Sequence, residues 1–374
     1  MMRNQLNCCL CVVVFILKGD EKMVTLLDCI QRVPSLLTNI LDNQEGKFDE
    51  INELIDDAGI NSIVIVGSGT SYTASITAMP FIEKVTHLNT TVILPNIFLE
   101  KSSIPNNSLY LFVSQTGTSH LTQKCVEKIK RMGIRTVALT ESKNTSLAKK
   151  ADIHLCLDCG YEEYGCRTIG YSATIFNEML MAIAIAKHLN VSNDYERLEE
   201  EARETINSIP AIIDKTIEWF NINDHYFDDI ESYVIYGASS LWGVALEAAL
   251  KIMEIPRKFL CIGYEMDDGL HGPTLALQKK HGIVILNDGE KSIEIADGLA
   301  KFIKNEIGYA FVIGKRTIDN TDLPLDIKGK DFCCLEYASC VQTFAYLLAQ
   351  KNGVEIEPLS QMKLPDSKYY NTHD

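Results

Sequence analysis

Six consecutive residues, Ser114-Gln115-Thr116-Gly117-Thr118-Ser119, gather four hydroxyls and a carboxamide between an apolar run ending at Val113 and a helical pattern starting near His120. Phosphate oxygens accept hydrogen bonds. Dense donors, the first free N–H groups of a helix and the positive end of its dipole therefore suit a phosphate without any lysine. A helix start needs one cap, so four hydroxyls exceed the structural requirement. A second loop, Gly67-Ser68-Gly69-Thr70-Ser71, leads from the run Ile63–Val66 into another helical pattern. Tyr72 stands where a dinucleotide fingerprint needs its last glycine, and no Gly-Lys-Ser/Thr follows, so neither nucleotide motif is present. The hydroxyls of Ser68, Thr70 and Ser71 fit two readings, a ligand crevice beyond the strand's carboxyl end and an ordinary N-cap.

Proton chemistry has its own candidates. Glu247, Lys251 and Glu254 are spaced by four and three, which puts them on one helix face. Such spacing usually marks an exposed stripe of ion pairs. His271, in Asp267-Asp268-Gly269-Leu270-His271-Gly272-Pro273, carries an imidazole that titrates near neutral pH. Thr168, in the segment from Glu163 to Tyr171, could cap a helix and touch a ligand, with Arg167 beside it as an available cation.

These residues must be held by strand–loop–helix corners. Short β-branched runs at 63–66, 91–94, 109–113, 136–140 and 153–157 alternate with helix-period segments such as 121–132. A second series runs through 233–236, 259–262, 282–286, 309–313 and 332–335, and Gly237-Ala238-Ser239-Ser240 again follows a strand. Alternation of this kind predicts an α/β protein with two similar domains, each a parallel sheet flanked by helices. The organisation expected is a helical arm (1–58), a first domain (59–190), a helical linker (191–229), a second domain (230–350) and a tail (351–374). The glutamates of the linker, Glu196, Glu199, Glu200, Glu201 and Glu204, read as a solvated face.

The chain has 374 residues, 46% hydrophobic, enough to bury two cores. Its net charge of −15 argues against nucleic acid or an anionic membrane as the main partner. A single phosphate is held by local donors and is not excluded. The twelve cysteines are scattered, and Cys156-x-x-Cys159 has no second pair at zinc spacing, so no metal and no cofactor are expected and a reducing cytoplasm is the simplest home. Residues 8–17 form an apolar run too short to span a bilayer, with no small-residue cleavage site after it. A start at Met23 would account for it.

The pair G-x-G-T-S and S-Q-T-G-T-S, the repeated α/β pattern and His271-Gly272-Pro273 together resemble the SIS (sugar isomerase) family over roughly residues 60 to 350. Its nearest members are the isomerase half of glucosamine-6-phosphate synthase, amino-sugar-phosphate deaminases and fructosamine-phosphate deglycases. The resemblance implies two flavodoxin-like domains and a sugar phosphate held by Ser114, Gln115, Thr116 and Ser119, with Ser68, Thr70 and Ser71 on the sugar side. The segment 245–254 is similar to the family helix A-L-E-x-A-L-K-x-x-E. That likeness makes Glu254 the group moving a proton between C1 and C2 and sets Glu247, Lys251 and Thr168 among the substrate-side residues. His271 matches the ring-opening histidine, which in several relatives enters the neighbouring subunit's site and so implies a homodimer. Asp268 stands where relatives commonly have glutamate, and Ile169 where they often have lysine. Counting from Pro358, Lys363 matches a lysine that forms an imine with the open-chain sugar; aligning the terminal residues puts His373 there instead. The implied activity is an isomerase or deaminase acting on an amino-sugar or aminated ketose 6-phosphate. A fructosyl- or glucosyl-lysine-type deglycase and a sugar-phosphate sensor without turnover are the alternatives.

Overall fold

A computed structural model of the protein describes residues 24–191, 194–364 and 367–374; the apolar run at 8–17 lies outside them. The chain enters through helices α1 (Leu26–Asp42) and α2 (Asp49–Ala58). Thr25 and Asp28 cap α1 reciprocally, each side chain bonded to the other's backbone N–H. There follow β1 (Ser62–Gly67), α3 (Thr70–Thr86), β2 (Asn89–Ile93), α4 (Pro95–Glu100), β3 (Ser108–Val113) and α5 (His120–Arg131). Strand β4 (Thr136–Thr140), α6 (Ser146–Lys150), β5 (Ile153–Cys156) and α7 (Ile169–Leu189) complete the first half. The second half comprises α8 (Tyr195–Ile222), β6 (Ser232–Gly237), α9 (Ser240–Glu254), β7 (Leu260–Glu265) and β8 (His281–Asn287). It ends with α10 (Ile293–Phe302), β9 (Ala310–Gly314), β10 (Leu323–Pro324) and α11 (Cys333–Lys351).

The strands form two parallel five-stranded sheets, ordered β2-β1-β3-β4-β5 and β10-β9-β8-β6-β7. The chain leaves β1 in one direction to β2 and crosses back to β3, so β1 and β3 flank a switch point where ligands bind in open α/β sheets. Their register pairs Val66 with Phe112 and Gly67 with Val113. That register brings the two hydroxyl loops out of the sheet side by side. One apolar core spans both halves, and Phe332 bridges them with its ring centroid 5.2 Å from Phe81 and 6.1 Å from Phe176. Helix α7 has the length and apolarity of a membrane span, yet 94% of its apolar window is buried in this core.

Two sequence expectations change. The run 332–335 is no strand: Cys333 opens α11, and the fifth strand of the second sheet is the two-residue edge Leu323–Pro324. A short apolar run surrounded by core on all sides carries no periodicity to separate strand from buried helix. Nor is the linker simply a solvated face. Helix α8 buries Ile206, Ile209, Ile213 and Trp219, and Glu201 is itself buried, accepting the N–H groups of Lys330, Asp331 and Phe332 ahead of α11.

Candidate functional site

At the end of β3, Ser114 and Gln115 are buried while Thr116, Thr118 and Ser119 remain partly open. Gly117 holds the tight turn at φ 62°, its N–H on the Ser114 carbonyl at 2.9 Å. A Cβ there would lie 2.3 Å from Thr145 Oγ1, so only glycine fits. The hydroxyls of Thr116 and Thr118 face each other at 2.8 Å, and Thr122 donates to Ser119 Oγ at 3.0 Å. Ser119 occupies the N-cap of α5, and its own side chain makes no capping bond. Gln115 packs against the start of α7 so closely that a Cβ on Gly170 would sit 1.7 Å from its Oε1.

Across the switch point Gly69 turns into α3 at φ 55°. Ser68 is exposed, Ser71 half-buried, and Thr70 reaches toward the second half of the chain. Its hydroxyl lies 3.4 Å from Glu247 Oε1 and accepts from Lys251 Nζ at 3.2 Å. Thr73 donates to Glu247 Oε2 at 2.5 Å. The stripe on α9 is therefore the reverse of an exposed one: Glu247 and Lys251 are fully buried, and only Glu254 keeps its side chain one-third exposed. Lys251 Nζ lies 3.2 Å from Glu247 and 2.8 Å from Glu254. Burial raises the Glu247 carboxyl against the pull of Lys251 and Thr73. Burial alone would depress Lys251; the Glu247 and Glu254 charges outweigh it and hold the ammonium protonated, above its ordinary range.

Between these two clusters runs the segment entering α7. Thr168 stands at the N-cap position without capping through its own side chain. Its hydroxyl and N–H, with the N–H of Ile169, go instead to Glu162 Oε1, and the N–H of Gly170 goes to Oε2. Glu162 is 1% exposed and no motif pointed to it; an acid just ahead of a helix start was its only signal. Ile169 is a core residue at 1% exposure. Cys166 Sγ reaches the Glu254 carbonyl at 3.8 Å, which ties this segment to the end of α9.

His271 is apart from this cluster. Its side chain is 74% exposed and, among the described residues, lies 3.5 Å from the Asp267 carboxylate. Asp268 lies on the same turn, its N–H on Glu265. Lys363 is exposed and makes no ion pair or side-chain hydrogen bond among the described residues. The last four residues do come to the loop 114–119 and the start of α5. His373 bridges Ser119, the His120 N–H donates to the Thr372 carbonyl, and Asp374 accepts from Gln123 at 2.7 Å and lies 2.9 Å from His120. Burial, then the neighbouring His120 and Arg167, hold the His373 imidazole below its usual range.

Residues 58–186, spanning the hydroxyl loops and α7, match the SIS domain family. The chain carries a SIS domain. A glutamine–fructose-6-phosphate aminotransferase (isomerizing) of Oceanobacillus iheyensis is 28% identical over 275 residues, covering 73% of this chain and 42% of that protein. This chain spans about half the length of the curated relatives it matches. Two solved structures share the architecture of the SIS domain and of the second sheet. The C-terminal domain of a glucosamine-fructose-6-phosphate aminotransferase from Francisella tularensis has a TM-score of 0.81 at 22% identity, covering 88% of this chain and 96% of that one. A glucosamine-6-phosphate deaminase from Thermotoga maritima has a TM-score of 0.70 at 20% identity, covering 89% and 98%.

Proposed function

We propose that the protein is a phosphosugar isomerase or deaminase acting on an amino-sugar or aminated ketose 6-phosphate. The observation that carries this is Thr70: one residue of the sugar-side loop contacts both Glu247 and Lys251, so the proposed phosphate-gripping half and the proposed proton-carrying helix meet there. Ser114, Gln115, Thr116 and Ser119 hold the phosphate, with Ser68, Ser71 and Thr168 alongside. Glu254 takes a proton from one of C1 and C2 and returns it to the other, with no net change in protons. Lys251 fixes its carboxylate and stabilises negative charge developing nearby. The names of the relatives, which act on fructose-6-phosphate or glucosamine-6-phosphate, support this substrate class.

His271 opens the ring in this proposal, and its exposure away from the cluster fits donation to the site of a second copy. A homodimer then pairs each Glu254 with the partner's histidine. Turnover is tested by supplying glucosamine 6-phosphate, galactosamine 6-phosphate and fructosyl-lysine 6-phosphate while following ammonia, free lysine and sugar phosphate. Glu254→Gln should abolish turnover and spare affinity. Tight binding of all three without turnover by the wild type would leave a sensor in place of an enzyme.

A further inference from the structure

The two sheets share one topology, and β6 matches β1 in length, in its closing glycine and in its place beside the edge strand. Their edge strands differ in chemistry. In the first sheet Ser62 pairs with Asn89 and Val64 with Thr91; at the same register of the second, Ser232 pairs with Leu260 and Val234 with Ile262. All four edge residues are exposed, so β2 offers polar groups to water where β7 offers two aliphatic ones. Leu260 is 78% exposed and Leu275, between β7 and β8, 93%; they are the two most exposed leucines among the described residues. Leu260, Ile262 and Tyr264 line a groove of about 260 Å³ with Pro273, Ala276 and Leu277. No proline or charged side chain blunts β7 before Glu265, and among the described strands its outer edge has no partner.

An aliphatic edge of this kind is unfavourable in water until something covers it. The charges flanking β7 identify the cover. Arg257 and Lys258 precede the strand, and Glu265, Asp267 and Asp268 end it, all but Glu265 exposed. A strand run antiparallel to its own copy about a two-fold at Ile262 sets Arg257 against the partner's Asp267 and Leu260 against the partner's Tyr264, with the two Ile262 side chains facing each other. Strand β2 has no such gradient: Lys84 and His87 precede it, and no acid follows until Glu100. We propose that β7 pairs edge to edge, antiparallel, with β7 of a second copy, joining the two second sheets across a two-fold axis. His271 lies on the same connection as Pro273 and Leu277, beside this groove. The interface therefore supplies a surface for the homodimer of the proposed function, and rests on that reading for the role of the histidine alone.

Sedimentation equilibrium of the full chain at micromolar concentration should give twice the chain mass of 41.9 kDa. The first variant carries the edge residues of β2, Leu260→Asn with Ile262→Thr, which a strand at this register already tolerates. It should weaken self-association by about a hundredfold or more while circular dichroism keeps the wild-type spectrum. Arg257→Asp should also weaken the dimer, and adding Asp267→Arg should restore it, because the two-fold sets these positions against each other. Loss of the Arg257–Glu357 ion pair within one chain is not repaired by that second change. A monomeric wild type leaves the groove to some other partner and overturns the proposal. So does a double edge variant that folds and stays dimeric, or a charge swap that fails to rescue. Turnover is read separately: a dimer that turns over no phosphosugar sinks the catalytic reading and leaves the interface standing, whereas an active monomer removes the interface and leaves the substrate class.

Discussion

Glu178 offers a quantitative test that needs no substrate. It lies on α7, 1% exposed, with Oε1 accepting from Ser75 at 2.7 Å and Oε2 buried without a partner. Burial pushes its carboxyl up to about 8 from an ordinary 4.5, the single hydroxyl donor opposing only part of that rise. Between those two pH values the unfolded chain has released this proton and the folded chain still holds it. Stability contributed here is therefore complete below pH 4.5 and falls as pH rises, by about 1.4 kcal/mol per unit, until the folded group ionises near 8. From pH 5 to pH 8 the accumulated loss is about 3.5 kcal/mol. Glu178→Gln cannot titrate. Its unfolding free energy, from urea denaturation followed by circular dichroism, should fall less steeply than that of the wild type, the gap widening by about 3.5 kcal/mol over this interval. A constant cost of burying the new amide cancels in this comparison, as do other titrating carboxylates such as Glu336. Parallel pH profiles for the two proteins would refute the claim that Glu178 is protonated in the fold.

Gly170→Ala drives a methyl into Gln115 and should weaken binding of a hexose 6-phosphate about tenfold or more, read by calorimetry, since a hydrogen bond to a charged group is lost. Lys251→Met leaves Glu247 buried without its cation and should cost about 3–5 kcal/mol in urea unfolding; adding Glu247→Gln should restore most of that, and an additive pair would deny their coupling. Mixing inactive Glu254→Gln and His271→Ala proteins should recover about a quarter of wild-type turnover, because half of randomly formed dimers contain one complete site. Recovery of none would place His271 in its own chain's site or outside the chemistry.

Much of this molecule was legible in its residue order. Strand runs and loops at 63–71 and 109–119 are local signals: β-branched periodicity makes the strand, and Gly69 and Gly117 permit turns that other residues resist. Hydroxyl density marked loop 114–119 as a phosphate-binding candidate for the same local reason. Spacing put Glu247, Lys251 and Glu254 on one face of a helix, but it could not say whether that face met water or protein. The tertiary structure decided that by packing α9 against α3, where Thr70 and Thr73 supply the polar partners that make a buried ion pair tolerable. The same holds for Glu162, whose partners lie six to eight residues on, and for Asp374, which meets His120 across some 250 positions.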